Sequence, residues 1–191
     1  MKEYFVEDKR ISIYDDIFPL HFRERIYKYA TSSLYSIGYG DSLEQDKIGY
    51  RFLYSSYSKE DIDNLGYIKE LEKTPVISEM EGYHISKVVM KLTSPSDVNF
   101  IHTHQESKVL LYYVNLSWQE GWFGETLFYG QNKKDIFFSS AYTPGRLVTF
   151  DASIPHTIRP QSILANVYRF TLATVLDLDW VVLPAAFSRD S

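Results

Sequence analysis

Pro144-Gly145-Arg146-Leu147-Val148-Thr149-Phe150-Asp151-Ala152-Ser153-Ile154-Pro155-His156 is the stretch on which the reading of the fold turns. It opens on a Pro-Gly turn signal and runs through five residues with strong strand preference. It then breaks at Ser153 to Pro155, leaving a histidine just past the strand end. Working outward, the same texture repeats over residues 83–92, 99–104, 108–116, 125–129, 135–142, 146–152 and 167–178, all rich in Val, Ile, Thr, Tyr and Phe. Gly, Pro, Asn and Asp punctuate them at 94–97, 119–124, 130–135, 143–145 and 153–162. Strands at this spacing with no helix between them predict an antiparallel sandwich or barrel of jelly-roll type. The segment 109–114 is apolar on both faces, as expected of a sheet covered by helices.

Upstream the pattern changes. Residues 1–16 alternate in places and read as strand. Leu20, Phe22, Ile26 and Ala30 recur at three- to four-residue spacing, which predicts an amphipathic helix over 18–30. Ser58 followed by Asp61 marks a helix start, with a short helix over 61–64 that residues 68–72 continue, and Thr74-Pro75 opens another helical turn. The fold class predicted is therefore mainly β with N-terminal helices, a double-stranded β-helix of cupin-like form. One domain spans 1–191, with 1–81 as N-terminal support and 82–180 as the β core.

Composition narrows the chemistry. The chain has 191 residues and a formal charge of −5, against the basic surface that nucleic-acid binding needs, so no nucleic-acid partner is expected. No apolar run is long enough for a membrane-spanning helix. The acidic start is unlike a secretory signal, and a cytoplasmic location is expected. Cysteine is absent, so a tightly held metal must use His, Asp, Glu or backbone oxygen. There are five histidines. His102 and His104 are two apart on a predicted strand, hence on one face, and His156 arrives from a distant strand. Three such ligands form a facial site with open positions, the form a catalytic metal needs. His21 reads as a helix-surface residue and His84 as a strand-end polar group. Trp118 and Trp122 read as loop anchors under the barrel, and Glu125 and Asp151 as structural acids. The apolar tail 180–184 is suited to packing on the core or on a neighbour.

Several pieces then fall in a recognisable order: His102-Thr103-His104, Leu111-Tyr112-Tyr113-Val114-Asn115-Leu116-Ser117-Trp118, Gly124-Glu125-Thr126, Pro144-Gly145-Arg146-Leu147-Val148-Thr149-Phe150, His156, and Tyr168-Arg169-Phe170-Thr171. In order and spacing, over about residues 85–176, the chain resembles the 2-oxoglutarate- and Fe(II)-dependent oxygenases, particularly the prolyl 4-hydroxylase-like branch. The resemblance implies His156 as the distal iron ligand and Arg169 as the anchor of the far carboxylate of 2-oxoglutarate, with Tyr113 and Thr171 in the same pocket. It implies Fe(II), 2-oxoglutarate and O2 as cofactor and cosubstrates. The activity implied is hydroxylation of a C–H bond, with a prolyl side chain in a peptide or protein, or a small molecule, as substrate.

One position departs from the family. Where His-x-Asp is the rule, the frame starting at His102 meets His104. Two ligand sets follow: an all-histidine triad of His102, His104 and His156, or a frame shifted to His104 with Glu106 as the carboxylate. Spacing from the strand over 88–92 favours the first. The alternative activity is a cupin-type metal protein (cosubstrate-independent dioxygenase, isomerase or small-molecule binder), which has no need of a dicarboxylate anchor such as Arg169. A jelly-roll interaction domain that never meets metal is a third reading, and it leaves the order of the pieces unexplained.

Overall fold

In the computed structural model residues 1–39, 47 and 52–178 are described; the tail 180–184 and the end of the expected β core lie outside them. The chain begins with the hairpin β1 (Lys2–Val6) and β2 (Lys9–Tyr14), then α1 (Leu20–Ser32), β3 (Ser36–Tyr39) and β4 (Phe52–Tyr57). Two short helices follow, α2 (Lys59–Leu65) and α3 (Tyr67–Leu71), and a 3₁₀ turn, Pro75–Met80. The remaining strands are β5 (Tyr83–Thr93), β6 (Lys108–Tyr113), β7 (Thr126–Tyr129), β8 (Ile136–Ser140), β9 (Leu147–Asp151), β10 (His156–Ile158) and β11 (Arg169–Leu178).

An eight-stranded sheet has the order β1-β2-β9-β6-β11-β5-β4-β3, and a three-stranded sheet the order β10-β7-β8, all pairs antiparallel. An isolated bridge between His102 and His156 adds a fourth rung to the smaller sheet. From β5 onward the chain therefore passes repeatedly from one sheet to the other, which is the double-stranded β-helix. The larger sheet has a core on each face. Leu110, Tyr112 and Val114 pack with Phe22, Ile26 and Leu65 on the helix side, whereas Val109, Leu111 and Tyr113 face Phe128 and Phe150 between the sheets. Burying each of these side chains contributes about 1.5–3 kcal/mol, and the two-sided apolar character of this strand is what lets it divide the two cores.

Several local expectations are corrected. Leu20 is 62% exposed, because Phe18 takes the place at the head of the apolar stripe of α1, packing on Phe22, Tyr67 and Tyr112. Residues 68–72 do not continue α2: Gly66 turns left-handed at φ 75° and closes it, and α3 starts anew. Residues 99–104 form no continuous strand, since this segment must cross between sheets and pairs only at His102. β3, β4 and β10 were not anticipated. They are short segments without alternation, and each is held by a neighbour rather than by its own pattern, β3 by β4, β4 by β5 and β10 by β7. In the deciding stretch, Gly145 has φ 82°, and a β-carbon there would lie 2.6 Å from the Arg23 guanidinium carbon.

The N-terminus of α2 is closed by a reciprocal cap. The Asp61 amide donates to Ser58 Oγ at 3.1 Å, and the Ser58 amide donates to Asp61 Oδ2 at 2.8 Å. Ser58→Ala is expected to cost about 1 kcal/mol and to lower the Tm by roughly 2–4 °C. A calorimetric melt reads it directly, and an unchanged Tm would show that α2 is held by Leu65 alone.

Candidate metal centre

His102 and His156 are joined backbone to backbone, each amide donating to the other's carbonyl at 3.0 Å, and the His104 amide donates to Ala152 O at 2.9 Å. Residues that open the segment before β6 are thereby laid against residues that follow β9. Their side chains converge: one ligand atom from each of His102, His104 and His156 lies within 4.8 Å of the others. His102 Nδ1 lies 2.8 Å from Phe100 O and His156 Nδ1 lies 2.8 Å from Ile154 O. A carbonyl only accepts, so both Nδ1 atoms carry the proton and Nε2 is the atom each ring would offer to a metal. Burial, and after it the nearby His102 and His104, hold the His156 imidazole well below its ordinary value of 6.5, so it is neutral, the form that binds metal.

Arg169 opens β11 on the same side of the sheet as Thr171 and is only 1% exposed. Its Nε donates to Gly124 O at 3.1 Å and its Nη1 to Thr171 Oγ1 at 2.5 Å. Its guanidinium lies 4.5 Å from the Tyr142 ring centre and 5.5 Å from that of Tyr113. The Tyr113 hydroxyl lies 2.7 Å from Thr126 Oγ1. Gly124 permits the approach: at φ 83°, a β-carbon would sit 3.3 Å from Arg169 Cδ and 3.4 Å from Trp118. The Nη2 atom is buried without a hydrogen-bond partner, and no ion pair among the described residues includes Arg169. Burial lowers its pKa, with Tyr142, Tyr113 and Glu125 acting the other way, and a guanidinium remains charged throughout.

One cavity runs from the histidines to the hydrogen-bond partners of Arg169 and Tyr113, two residues that do not themselves line it. It is lined by the three histidines, by Thr171 and Thr126 (the hydrogen-bond partners of Arg169 and Tyr113), by Lys91, and by apolar walls that include Val89, Leu111, Phe150, Ile158 and Val175. Among the described residues no carboxylate lines it. Glu106 lies in the turn before β6 and its Oε1 is 2.7 Å from Lys87 Nζ; it is not part of the histidine cluster. Glu125 Oε1 faces Arg159 at 3.6 Å while its Oε2 is buried without a hydrogen-bond partner, and Asp151 accepts from the Ser153 amide at 2.9 Å. His21 and His84 are exposed. Trp118 packs on Tyr142 at 4.4 Å beneath Arg169 and Trp122 meets it edge-on. Thr126 belongs to the Gly-Glu-Thr piece but carries no role in the sequence reading, and Tyr142 carries none either. Tyr142 sits two residues before Pro144, and only the pairing of distant strands shows that it forms the floor under Arg169.

No family sequence model and no curated protein sequence matches the chain. Solved structures do. A prolyl hydroxylase from Trichoplax adhaerens, in complex with a hypoxia-inducible-factor peptide fragment, superposes with TM-score 0.65 at 15% identity, covering 87% of this chain and 83% of that one. The viral collagen prolyl hydroxylase of Paramecium Bursaria Chlorella virus-1, in its 2-oxoglutarate complex, gives TM-score 0.64 at 12% identity over 92% and 99% of the two chains. A Pseudomonas putida prolyl-4-hydroxylase gives 0.60 at 13% over 88% and 92%. The double-stranded β-helix is thus shared over nearly the whole length of each.

Proposed function

We propose that the chain is a 2-oxoglutarate- and Fe(II)-dependent oxygenase that hydroxylates a C–H bond. In this reading His102, His104 and His156 are the metal ligands, and Arg169, with Thr171 and Tyr113, anchors the cosubstrate's far carboxylate. The observation that carries it is the buried Arg169 with an unpartnered Nη2 and no acidic partner among the described ion pairs. Glu125 acts on Arg169 only from beyond ion-pair distance, a buried charge without a contacting acid costs several kcal/mol, and a dicarboxylate entering the adjoining cavity would supply that contact. A guanidinium offers two parallel donors to a carboxylate, and Nη2 is the one left over.

The donor set fits iron: three imidazoles on one side of a cavity leave coordination positions open. Bound iron, with 2-oxoglutarate and O2, supplies the oxidising chemistry that yields succinate, CO2 and a hydroxylated substrate. The protein supplies placement. Phe100 and Ile154 carbonyls fix the tautomers of His102 and His156, and Val89, Leu111, Phe150 and Val175 keep the cavity poor in water. Glu125 faces Arg159 through Oε1 and Asp151 accepts from the Ser153 amide, and neither lines the cavity, so no protein base is assigned. A prolyl residue in a peptide is the substrate we propose, supported by the peptide bound in the Trichoplax neighbour.

The test is an anaerobic visible spectrum of the apo-protein given Fe(II) and then 2-oxoglutarate. A metal-to-ligand charge-transfer band is expected, and Arg169→Met is expected to weaken its 2-oxoglutarate dependence by about 30- to 150-fold, the 2–3 kcal/mol lost when one partner of a buried charge pair is removed. Iron binding without any band on adding 2-oxoglutarate sinks this reading in favour of a cupin-type centre.

A further inference from the structure

We propose that His104 makes metal retention in this protein depend on 2-oxoglutarate, so that metal and cosubstrate bind as a coupled pair; the inference rests on the ligand set and cosubstrate proposed above. Three observations combine. All three clustered side chains are imidazoles, which bring no negative charge to a divalent ion. No carboxylate among the described residues lines the cavity, and the acid nearest in sequence, Glu106, already faces Lys87 at 2.7 Å. Lys91 lines the same cavity and Arg169 adds a buried positive charge beside it; Glu125, whose charge acts on Arg169 from beyond ion-pair distance, faces Arg159 at 3.6 Å.

A divalent cation entering this pocket alone therefore gathers positive charge in a place of low dielectric, where like charges repel strongly. A dianionic 2-oxo acid reverses the balance. One carboxylate meets Arg169 and the oxo-acid end meets the metal, so each ligand lowers the electrostatic cost of the other. In a site with an aspartate ligand, part of that negative charge is built into the protein and the metal needs less help. Here it arrives with the cosubstrate. The residue that sets the size of the coupling is the histidine at 104, and by linkage the same factor must appear in both binding constants.

The experiment is calorimetric titration of the full apo-chain with Mn(II), which occupies such sites without turnover, in the absence and presence of saturating 2-oxoglutarate. Mn(II) affinity is expected to rise about 30-fold or more with 2-oxoglutarate, within the range of strong coupling between sites. The reciprocal titration, 2-oxoglutarate into protein with and without Mn(II), is expected to show the same factor. His104→Asp is expected to bind Mn(II) more tightly alone and to reduce the enhancement to about fivefold or less. Equal Mn(II) affinity with and without 2-oxoglutarate overturns the inference, and so does a His104→Asp variant that binds Mn(II) while keeping the full enhancement. If the Fe(II)–2-oxoglutarate band still forms in those cases, the oxygenase reading stands and only the coupling has failed. If 2-oxoglutarate gives neither heat nor band with the metal-loaded protein, the oxygenase reading has failed and the coupling with it.

Discussion

Replacing His156 by alanine is expected to lower metal affinity roughly a thousandfold, well beyond the 10- to 100-fold that loss of a supporting residue costs, whereas Glu106→Ala is expected to leave it within about threefold. His156 meets the requirements of a ligand: it is buried, neutral, and held by Ile154 O with its other nitrogen directed at His102 and His104. Loss of the side chain leaves two imidazoles, and a two-ligand site binds a divalent ion weakly. His102→Ala should match it, since its Nδ1 is held by Phe100 O in the same manner. Glu106 differs because Lys87 already balances its carboxylate at 2.7 Å. Calorimetry with Mn(II) on the three variants decides between the two ligand sets. A Glu106→Ala loss as large as that of His156→Ala, with His102→Ala unaffected, would establish the His104/Glu106/His156 frame instead.

The second large effect concerns stability and lies away from the cavity. Glu79, in the 3₁₀ turn, is 4% exposed and fully engaged. Its Oε1 accepts from Ser12 Oγ at 3.1 Å and from the Tyr14 hydroxyl at 3.0 Å, and its Oε2 accepts from Arg10 at 2.9 Å and Lys108 at 3.0 Å. Lys108 also donates to the Glu79 carbonyl at 2.9 Å. One carboxylate thus ties β2 and β6 to the turn that precedes β5. Glu79→Ala leaves Lys108 and Tyr14 partly buried with lost partners, and removal of one member of a buried charge network costs about 3–5 kcal/mol. A Tm lower by roughly 6–20 °C is expected. Burial by itself raises the carboxyl pKa, but the hydrogen bonds and charges of Lys108, Tyr14 and Arg10 outweigh it and hold it below the ordinary value. A depressed folded value means that this stabilisation is complete above the ordinary carboxylate range and is lost as pH falls through it toward the folded value. The Tm gap between wild type and Glu79→Ala should therefore be full at neutral pH and narrow below about pH 4. A gap that persists into acid would assign the effect to packing rather than charge. The same charge, after burial, pushes the Tyr14 hydroxyl up to about 12, which keeps it protonated and donating.

Much of this arrangement was legible. The strand over 146–152 and the two-sided strand over 108–116 carry strong local signals, and both are found as β9 and β6 with Leu110 and Leu111 on opposite cores. The cap at Ser58 is local as well and was readable from two residues. What escaped was held from outside. β10 is three residues long and exists because β7 pairs with it; β4 lies along β5 and β3 along β4, without an alternating pattern of their own. Leu20 matched the helical period and still points to solvent, since period alone cannot say where an apolar stripe begins.

By itself the sequence determined the fold class and the inventory of the site: a β-rich chain without cysteine, with histidines at 102, 104 and 156 and an arginine on the last expected strand. Only the tertiary structure decided that the three imidazoles meet within 4.8 Å, that Glu106 turns to Lys87 instead, and that Arg169 is walled in by Gly124, Tyr142 and Thr171 with one nitrogen unused. The reason is physical. Strand preference and alternation are properties of a few consecutive residues, whereas the antiparallel bridge of His102 to His156 and the register that sets Thr171 against Tyr113 are fixed by contacts between segments far apart in the chain.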